Sequence, residues 1–491
     1  MERNRDLFDV AKSILEVGSG NLGVAQYVRR NVTGLATRFQ GPTSEWLNPV
    51  TGNILDIPFP SESFDIVLCV DVFGRLPPSA RKRLLSELVR VAKEKVILSC
   101  PCDLFAAEGE RSMADLFRET PLGVPDWLAA HLDPGLPDVG DMIELILATG
   151  LNFEVIGNEG LMQHYGGILL DFFFPFAAKA HKLHAYKALV DPPITRGAWD
   201  LFYSYVFTLD KTSVRPSATG PAPRIRSDFS DDHKHPNGLA RVFSVFHKPA
   251  DTSHLGRVEP IFAGAAADSA PAGVLTDVLD REPKLLNSRW SELSAIYKVW
   301  REGPRSDVIG FCHYRRLFNF AGRSSEGREK RLSWRKLNEF SEAFFDEAVI
   351  ASAREDVIIT PPPFVVDAAS IWHHYCIWHD PSDWCRILNE LSRQHPSLLP
   401  HALAQFRVRD FYANNLFIMN WGLFDELCGM WFNLLKDFER QIPSNRSRTY
   451  QNRDLSFLAE RIFDLWLRSK QEAGTRLVHV PIFFVDVTAD E

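Results

Sequence analysis

The chain has 491 residues, 45% of them hydrophobic, with seven cysteines, a formal charge of -8 and a pI near 6.0. So long and apolar a chain buries more than one core, and two large domains are expected. Its acidic balance excludes broad nucleic-acid binding, which needs a basic face. The scattered cysteines, with no Cys-x-x-Cys pair, exclude a zinc ribbon or thioredoxin-type site.

Met1 to Lys12 is charged and leads into a core strand, so no secretory signal is expected. In ILEVGSGNLG an apolar strand meets an acidic residue and a glycine turn that opens a helix. Gly18 and Gly20 allow the main chain to approach a nucleotide-like cofactor, and Glu16 offers it a carboxylate. A helix is predicted over Val24 to Arg30, with strands at Val32 to Leu35 and Phe64 to Val70. Leu84, Leu85, Leu88 and Val91 then share one helical face before the strand KVILSCP. This alternation predicts a doubly wound parallel sheet with its ligand at the carboxyl ends of the strands. The apolar run Gly166 to Ala178 is too short to span a bilayer. WDLFYSYVFTLDK reads as the last strand of the first domain. The proline-rich, polar stretch after it reads as a linker, and His233 and His235 as exposed linker residues.

The second half opens with RVFSVFHK and continues to DVIGFCHYRR, a short strand ending in His313, Tyr314, Arg315 and Arg316. Cationic groups at a strand tip suit forked bonds to a diphosphate, with one of the two adjacent arginines facing the ligand if the segment is extended. Asp277 and Asp280 in TDVLD lack the usual metal spacing, and a solvated loop is expected there. Asn287 and Glu292 flank the start of the helix LSAIYKVW, and Asn414 and Asn415 precede the strand LFIM. Each of these four suits either a cap or turn or the recognition of sugar hydroxyls. Glu460, in the helix SFLAERIFDLWL, is a candidate base toward an acceptor or a salt-bridge partner of the arginines. His373, His374 and His379, alternating with aromatics in IWHHYCIWHDPSDW, are read as an acceptor-binding surface.

From Leu7 to Thr212 the chain resembles class I S-adenosylmethionine-dependent methyltransferases, through the glycine loop and the phrase IPFPSESFDIVLCVDVF. The resemblance implies that Glu16, Gly18 and Gly20 hold the methionine and ribose portions of S-adenosylmethionine. It places Asn53 at the adenine and Asp71 at the methyl-transfer pocket. Departures are the missing acidic residue near Ala36, Asn53 where Asp is common, and Gly74-Arg75 where relatives carry Glu-His. From Val242 to Val485 the chain resembles glycosyltransferase-like proteins of bacterial capsule and exopolysaccharide clusters, known as domain of unknown function 4422. FHK, NSRWSELSAIYKVW, GFCHYRR, NNLFIMNWGLFDELC and FLAERIFDLWL carry that likeness. It implies a GT-A-like α/β fold and a nucleotide-sugar donor, with HYRR where a metal-binding Asp-x-Asp usually stands.

The expected organisation is therefore α/β throughout: a methyltransferase-like domain over 1–213, a linker over 214–239 and a glycosyltransferase-like domain over 240–491. The expected activity is sugar transfer to a surface polysaccharide with methylation of the glycan, without a metal, in the cytoplasm or at the inner face of the membrane. His313, Arg315, Arg316 and Glu460 are the candidate catalytic residues, and Asn287, Glu292, Asn414 and Asn415 the candidate substrate contacts. The alternatives are a carbohydrate-binding second half, or an inactive first half that serves as a scaffold.

Overall fold

The computed structural model describes residues 8, 10–120, 123–173, 202–214, 240–280, 285–322, 327–441 and 453–486. The linker histidines, most of 214–239 and the end of the run Gly166 to Ala178 lie outside them. The chain divides into two compact units: 1–217 with 375–393, and 218–374 with 394–491.

The first unit is built on seven strands: β1 (Ile14–Val17), β2 (Val32–Ala36), β3 (Leu47–Thr51), β4 (Phe64–Val70), β5 (Ala92–Pro101), β6 (Leu151–Gly160) and β7 (Phe202–Val214). They lie in the order β3-β2-β1-β4-β5-β7-β6. β1 to β5 are parallel, and β7 runs antiparallel between β5 and β6. The central strands β1 and β4 are near-continuous apolar runs, as a sheet covered on both faces requires. Helix Pro78–Val91 buries Leu84, Leu85, Leu88 and Val91, the predicted face. Each such side chain contributes about 1.5–3 kcal/mol. The first helix is shorter than expected, Ala25–Val28, because Arg29 turns left-handed (φ 51°) and closes it on Ala25.

The unit also takes in residues 375–393 from far along the chain. Asn389 Nδ2 there donates to the Phe153 carbonyl of β6 at 3.3 Å. The segment IWHHYCIWHDPSDW forms two helices, Ile371–Trp378 and Pro381–Gln394, whose Trp372, Tyr375 and Trp384 are fully buried. The acceptor surface expected of these aromatics is thus corrected for Trp372, Tyr375 and Trp384, whose rings are core, while Trp378 is exposed.

The second unit carries a ten-stranded mixed sheet. Its strands are β8 (Ala240–Phe246), β9 (Glu259–Phe262), β10 (Leu275–Thr276), β11 (Val308–His313), β12 (Arg316–Phe318), β13 (Glu329–Ser333) and β14 (Val357–Thr360). A small separate ladder joins β15 (Phe364–Val365) to β16 (Asp410–Phe411). β17 (Phe417–Asn420), β18 (Arg476–His479) and β19 (Ile482–Asp486) complete the main sheet. The main path is β10-β9-β8-β11-β12-β19-β13, with β17 pairing β11 and β14, and β18 pairing β14. β8 and β11 lie side by side and parallel, which brings their carboxyl ends together. Helices Leu293–Glu302, Trp421–Gln441 and Asp454–Glu472 contribute buried aromatic rings, among them Trp300, Trp431, Phe432, Phe463 and Trp466. Among the described residues no helix is long and apolar enough to cross a membrane.

Candidate functional site

In the first unit, the carboxyl ends of β1, β2 and β4 enclose a cleft of about 600 Å3. Glu16, Gly18, Gly20, Ala36, Thr37, Arg38, Ile54, Asp71 and Arg75 are among its lining residues. Gly18 has φ +84°, and a Cβ there would come 2.3 Å from Val72 Cγ2, so only glycine fits this turn. Glu16 is buried, and its Oε2 accepts the Val24 N–H at 2.7 Å. Burial raises its pKa, partly offset by that bond. Its carboxylate therefore braces the loop from behind. Asn53 is spent on its own turn, where its Oδ1 accepts the Leu55 N–H at 2.9 Å, and Ile54 lines the cleft in its place. At the end of β2, Ala36 is buried while Thr37 and Arg38 are exposed, so this corner presents a cation and no carboxylate.

In the second unit, β8 and β11 each run into a histidine. The His247 and His313 rings lie 5.4 Å apart. HYRR is not extended: Tyr314 and Arg315 form a two-residue turn, and His313 pairs with Arg316 across it. The Tyr314 N–H donates to Val245 O, and the Val485 N–H to Arg315 O, so neighbouring strands hold the turn. The extended geometry under which only one of the two arginines would face a ligand is thus absent, and both arginines act electrostatically on His313. Burial first, then His247, Arg316, Arg315 and Arg453, hold His313 well below its ordinary pKa and keep it neutral.

Carboxylates and amides close around these cations. Glu460 Oε1 accepts the Asn414 N–H at 3.0 Å, and its Oε2 lies 3.5 Å from Arg461. Burial raises the Glu460 pKa; Arg461 and Arg316 oppose that, while Glu292 adds to it. Glu292 Oε1 accepts from Asn415 Nδ2 at 2.7 Å and from Ser456 Oγ at 3.1 Å. Asn414 and Asn415 both adopt positive φ, 81° and 49°, a conformation asparagine tolerates better than most residues. Asn287 donates to Ser291 O and Ser294 Oγ and also bonds His247. All eight predicted residues of this half thus join one network. His247 and Arg453 are added to it; the strand end FHK carried the signal for the first, and nothing local marked the second.

Three buried atoms of the network lack a hydrogen-bond partner among the described residues: His247 Nε2, Arg315 Nε and Asn415 Oδ1. Such atoms are costly unless a ligand or water meets them. Asp277 is not in a solvated loop: it is buried, and its Oδ2 accepts the Gly264 N–H and the Ser294 hydroxyl. Asp280 is exposed and pairs with Lys298, so the two aspartates serve different neighbours.

Comparison with known proteins matches two separate stretches of the chain. Residues 15–100 match the family described as Methyltransferase domain, and residues 241–471 match Domain of unknown function (DUF4422). The chain therefore joins a methyltransferase domain, which is a transferase family, to a DUF4422 domain. No curated protein matches it. Among similar solved structures, the apo form of the bifunctional glycosyltransferase WbbM is 20% identical over 50% of this chain and 45% of its own, with a TM-score of 0.45. The match thus spans less than half of that neighbour's length. A Thermotoga maritima SAM-dependent methyltransferase, described as a possible histamine N-methyltransferase, is 16% identical over 40% of this chain and 82% of its own, with a TM-score of 0.27. The plantazolicin methyltransferase BamL, solved with a triazolic desmethylPZN analog and SAH, is 13% identical over 43% and 80%, with a TM-score of 0.28.

Proposed function

We propose that the second unit transfers a sugar from a nucleotide donor to a growing surface polysaccharide, and that the first unit methylates that glycan. The observation that carries the reading is the convergence of Arg315, Arg316 and Arg453 on the paired strand tips His247 and His313, with buried polar atoms left unpaired beside them. Breaking a nucleotide-sugar bond builds negative charge on the departing diphosphate, and fixed guanidinium groups can stabilise that charge in place of a metal. Glu460 is then the acceptor's base, since burial raises its pKa toward the working range of a proton acceptor. Asn414, Asn415, Glu292 and Asn287 shape the sugar-binding wall. In this reading the second unit is GT-A-like and works in the cytoplasm, at the inner face of the membrane where polysaccharide is assembled.

The first cleft suits S-adenosylmethionine in size and in its glycine-lined approach, and the group would supply the methyl when bound. Gly18, Gly20 and the loop braced by Glu16 would hold it. With Arg38 where a ribose-gripping carboxylate is common, the affinity expected is modest. The test is nucleotide release by the full chain from a panel of nucleotide sugars, with and without EDTA. Release that persists in EDTA supports the proposal, and activity that returns only with manganese or magnesium overturns the metal-free part.

A further inference from the structure

Behind the first cleft lies a buried chain of groups that the reading above leaves unused. Asp71, just past β4, lines the cleft; its Oδ2 accepts from Arg75 and its Oδ1 bonds His131 Nε2 at 3.0 Å. His131 Nδ1 lies 2.8 Å from Glu110 Oε1, and that same oxygen accepts the Tyr203 hydroxyl at 2.6 Å. Four separate pieces of the unit supply these residues: the end of β4, helix Leu104–Arg118, helix Asp126–Leu132 and β7. His131 and Glu110 are each 1% exposed, whereas the Asp71 side chain is 36% exposed. At Gly74 a Cβ would press on Leu136 Cδ2 at 3.0 Å and reach only ordinary contact with His131 Cδ2 at 3.4 Å. The Tyr203 ring is clamped in turn by His164, stacked at 3.3 Å.

Burying a charged histidine between two carboxylates is a poor route to stability, since apolar residues of similar volume serve as well or better. What this arrangement adds is an aimed carboxylate at the one end that opens to the cleft.

We propose that Asp71 takes the proton from a methyl-accepting hydroxyl, and that His131 and Glu110 are positioning residues that hold its carboxylate toward the cleft. The inference rests on the first unit being an active methyltransferase. The acceptor's O–H bond breaks as its oxygen gains a methyl group from a methylsulfonium donor. The O–H electron pair stays on oxygen, the carbon–sulfur pair stays on sulfur, and the proton ends on Asp71.

The state of Asp71 suits this acceptor class. Burial pushes its pKa up, but the bonds and charges of His131 and Arg75 outweigh that and hold it below the usual carboxylate range. So weak a base takes a proton only from a strong acid, which a hydroxyl becomes as its oxygen is methylated. A methylated amine is a far weaker acid and keeps its proton against such a base.

The test uses the full chain. S-adenosylhomocysteine binding is measured by calorimetry, and labelled methyl transfer is followed onto methyl glycosides of glucose, galactose and mannose and onto methyl glucosaminide. Asp71→Asn is expected to lower transfer by about 100-fold or more while leaving S-adenosylhomocysteine affinity within about threefold. His131 faces Asp71 and Glu110, with Tyr203 on Glu110 and Arg75 on Asp71, and it is pushed up to about 9. Wild-type transfer should therefore fall as pH rises through that value. His131→Gln should lower kcat about tenfold with little change in KM and abolish that alkaline fall, and Glu110→Asp should retain more activity than Glu110→Gln. Wild-type transfer by Asp71→Asn, an unaltered alkaline limb in His131→Gln, methylation confined to the amino group, or no transfer to any hydroxyl despite binding would each overturn the assignment. Absence of S-adenosylhomocysteine binding in the wild type would instead overturn the methyltransferase reading beneath it.

Discussion

His131 and His313 are the same residue enclosed in two units, and their neighbours drive them to opposite charge states. Burial opposes charge on both. Two carboxylates at hydrogen-bond distance overcome it for His131, while three arginines and a second histidine reinforce it for His313. The first unit therefore keeps its cation inside and turns a carboxylate toward its cleft. The second keeps its histidine neutral and surrounds it with arginine charge. Burial alone does not set the state of a titratable group; the sign of what surrounds it does.

The largest effect that would break this contrast is expected at the arginines. Arg316→Ala, and separately Arg315→Ala, should each cut nucleotide release by about 10²–10³-fold, and Lys at either position should restore only part of it for want of the guanidinium fork. Wild-type nucleotide release in both alanine variants would remove the basis for an anion site. Next comes Gly18→Val, which forces a side chain onto Val72 at a left-handed position. It should reduce S-adenosylhomocysteine binding by at least about tenfold in calorimetry while leaving nucleotide release untouched.

The pH dependence of stability should run in opposite directions. The raised pKa of His131 makes a contribution to stability that is fully present below about pH 6.5 and lost as pH rises through about 9. The lowered pKa of His313 contributes stability present above about pH 6.5 and lost as pH falls toward its folded value. Urea unfolding of the full chain across pH checks this: His131→Gln should flatten the alkaline side only, and His313→Gln the acid side only. The smallest effect is expected at the end of β2, where Thr37→Asp should tighten S-adenosylhomocysteine by a few-fold. Ala36→Asp should instead destabilise the fold, because Ala36 is buried.

The strands and the face of helix Pro78–Val91 were legible because their signals are local: apolar runs and a helical period over a dozen residues. The glycine loop was legible for the same reason. The group behind it was not, since Asp71 and His131 are 60 positions apart, His131 and Glu110 21, and Glu110 and Tyr203 93. The turn at HYRR was misread because Tyr314 and Arg315 are not the Gly, Asn or Asp that a two-residue hairpin usually needs. Bonds to Val245 and Val485 impose it from neighbouring strands. Likewise, the aromatic spacing in IWHHYCIWHDPSDW fitted a surface as well as a core until burial decided the matter.

The return of residues 375–393 to the first unit has a consequence for synthesis. A ribosome that has finished residue 217 must still make 157 more before Tyr375 emerges. At ~5–20 residues per second, that is a delay of roughly 8–30 s. Throughout it the nascent sheet lacks the segment that bonds β6. The first half of the gene thus encodes a body that only the second half can complete. Splitting the gene at the linker would separate that segment from the sheet it serves.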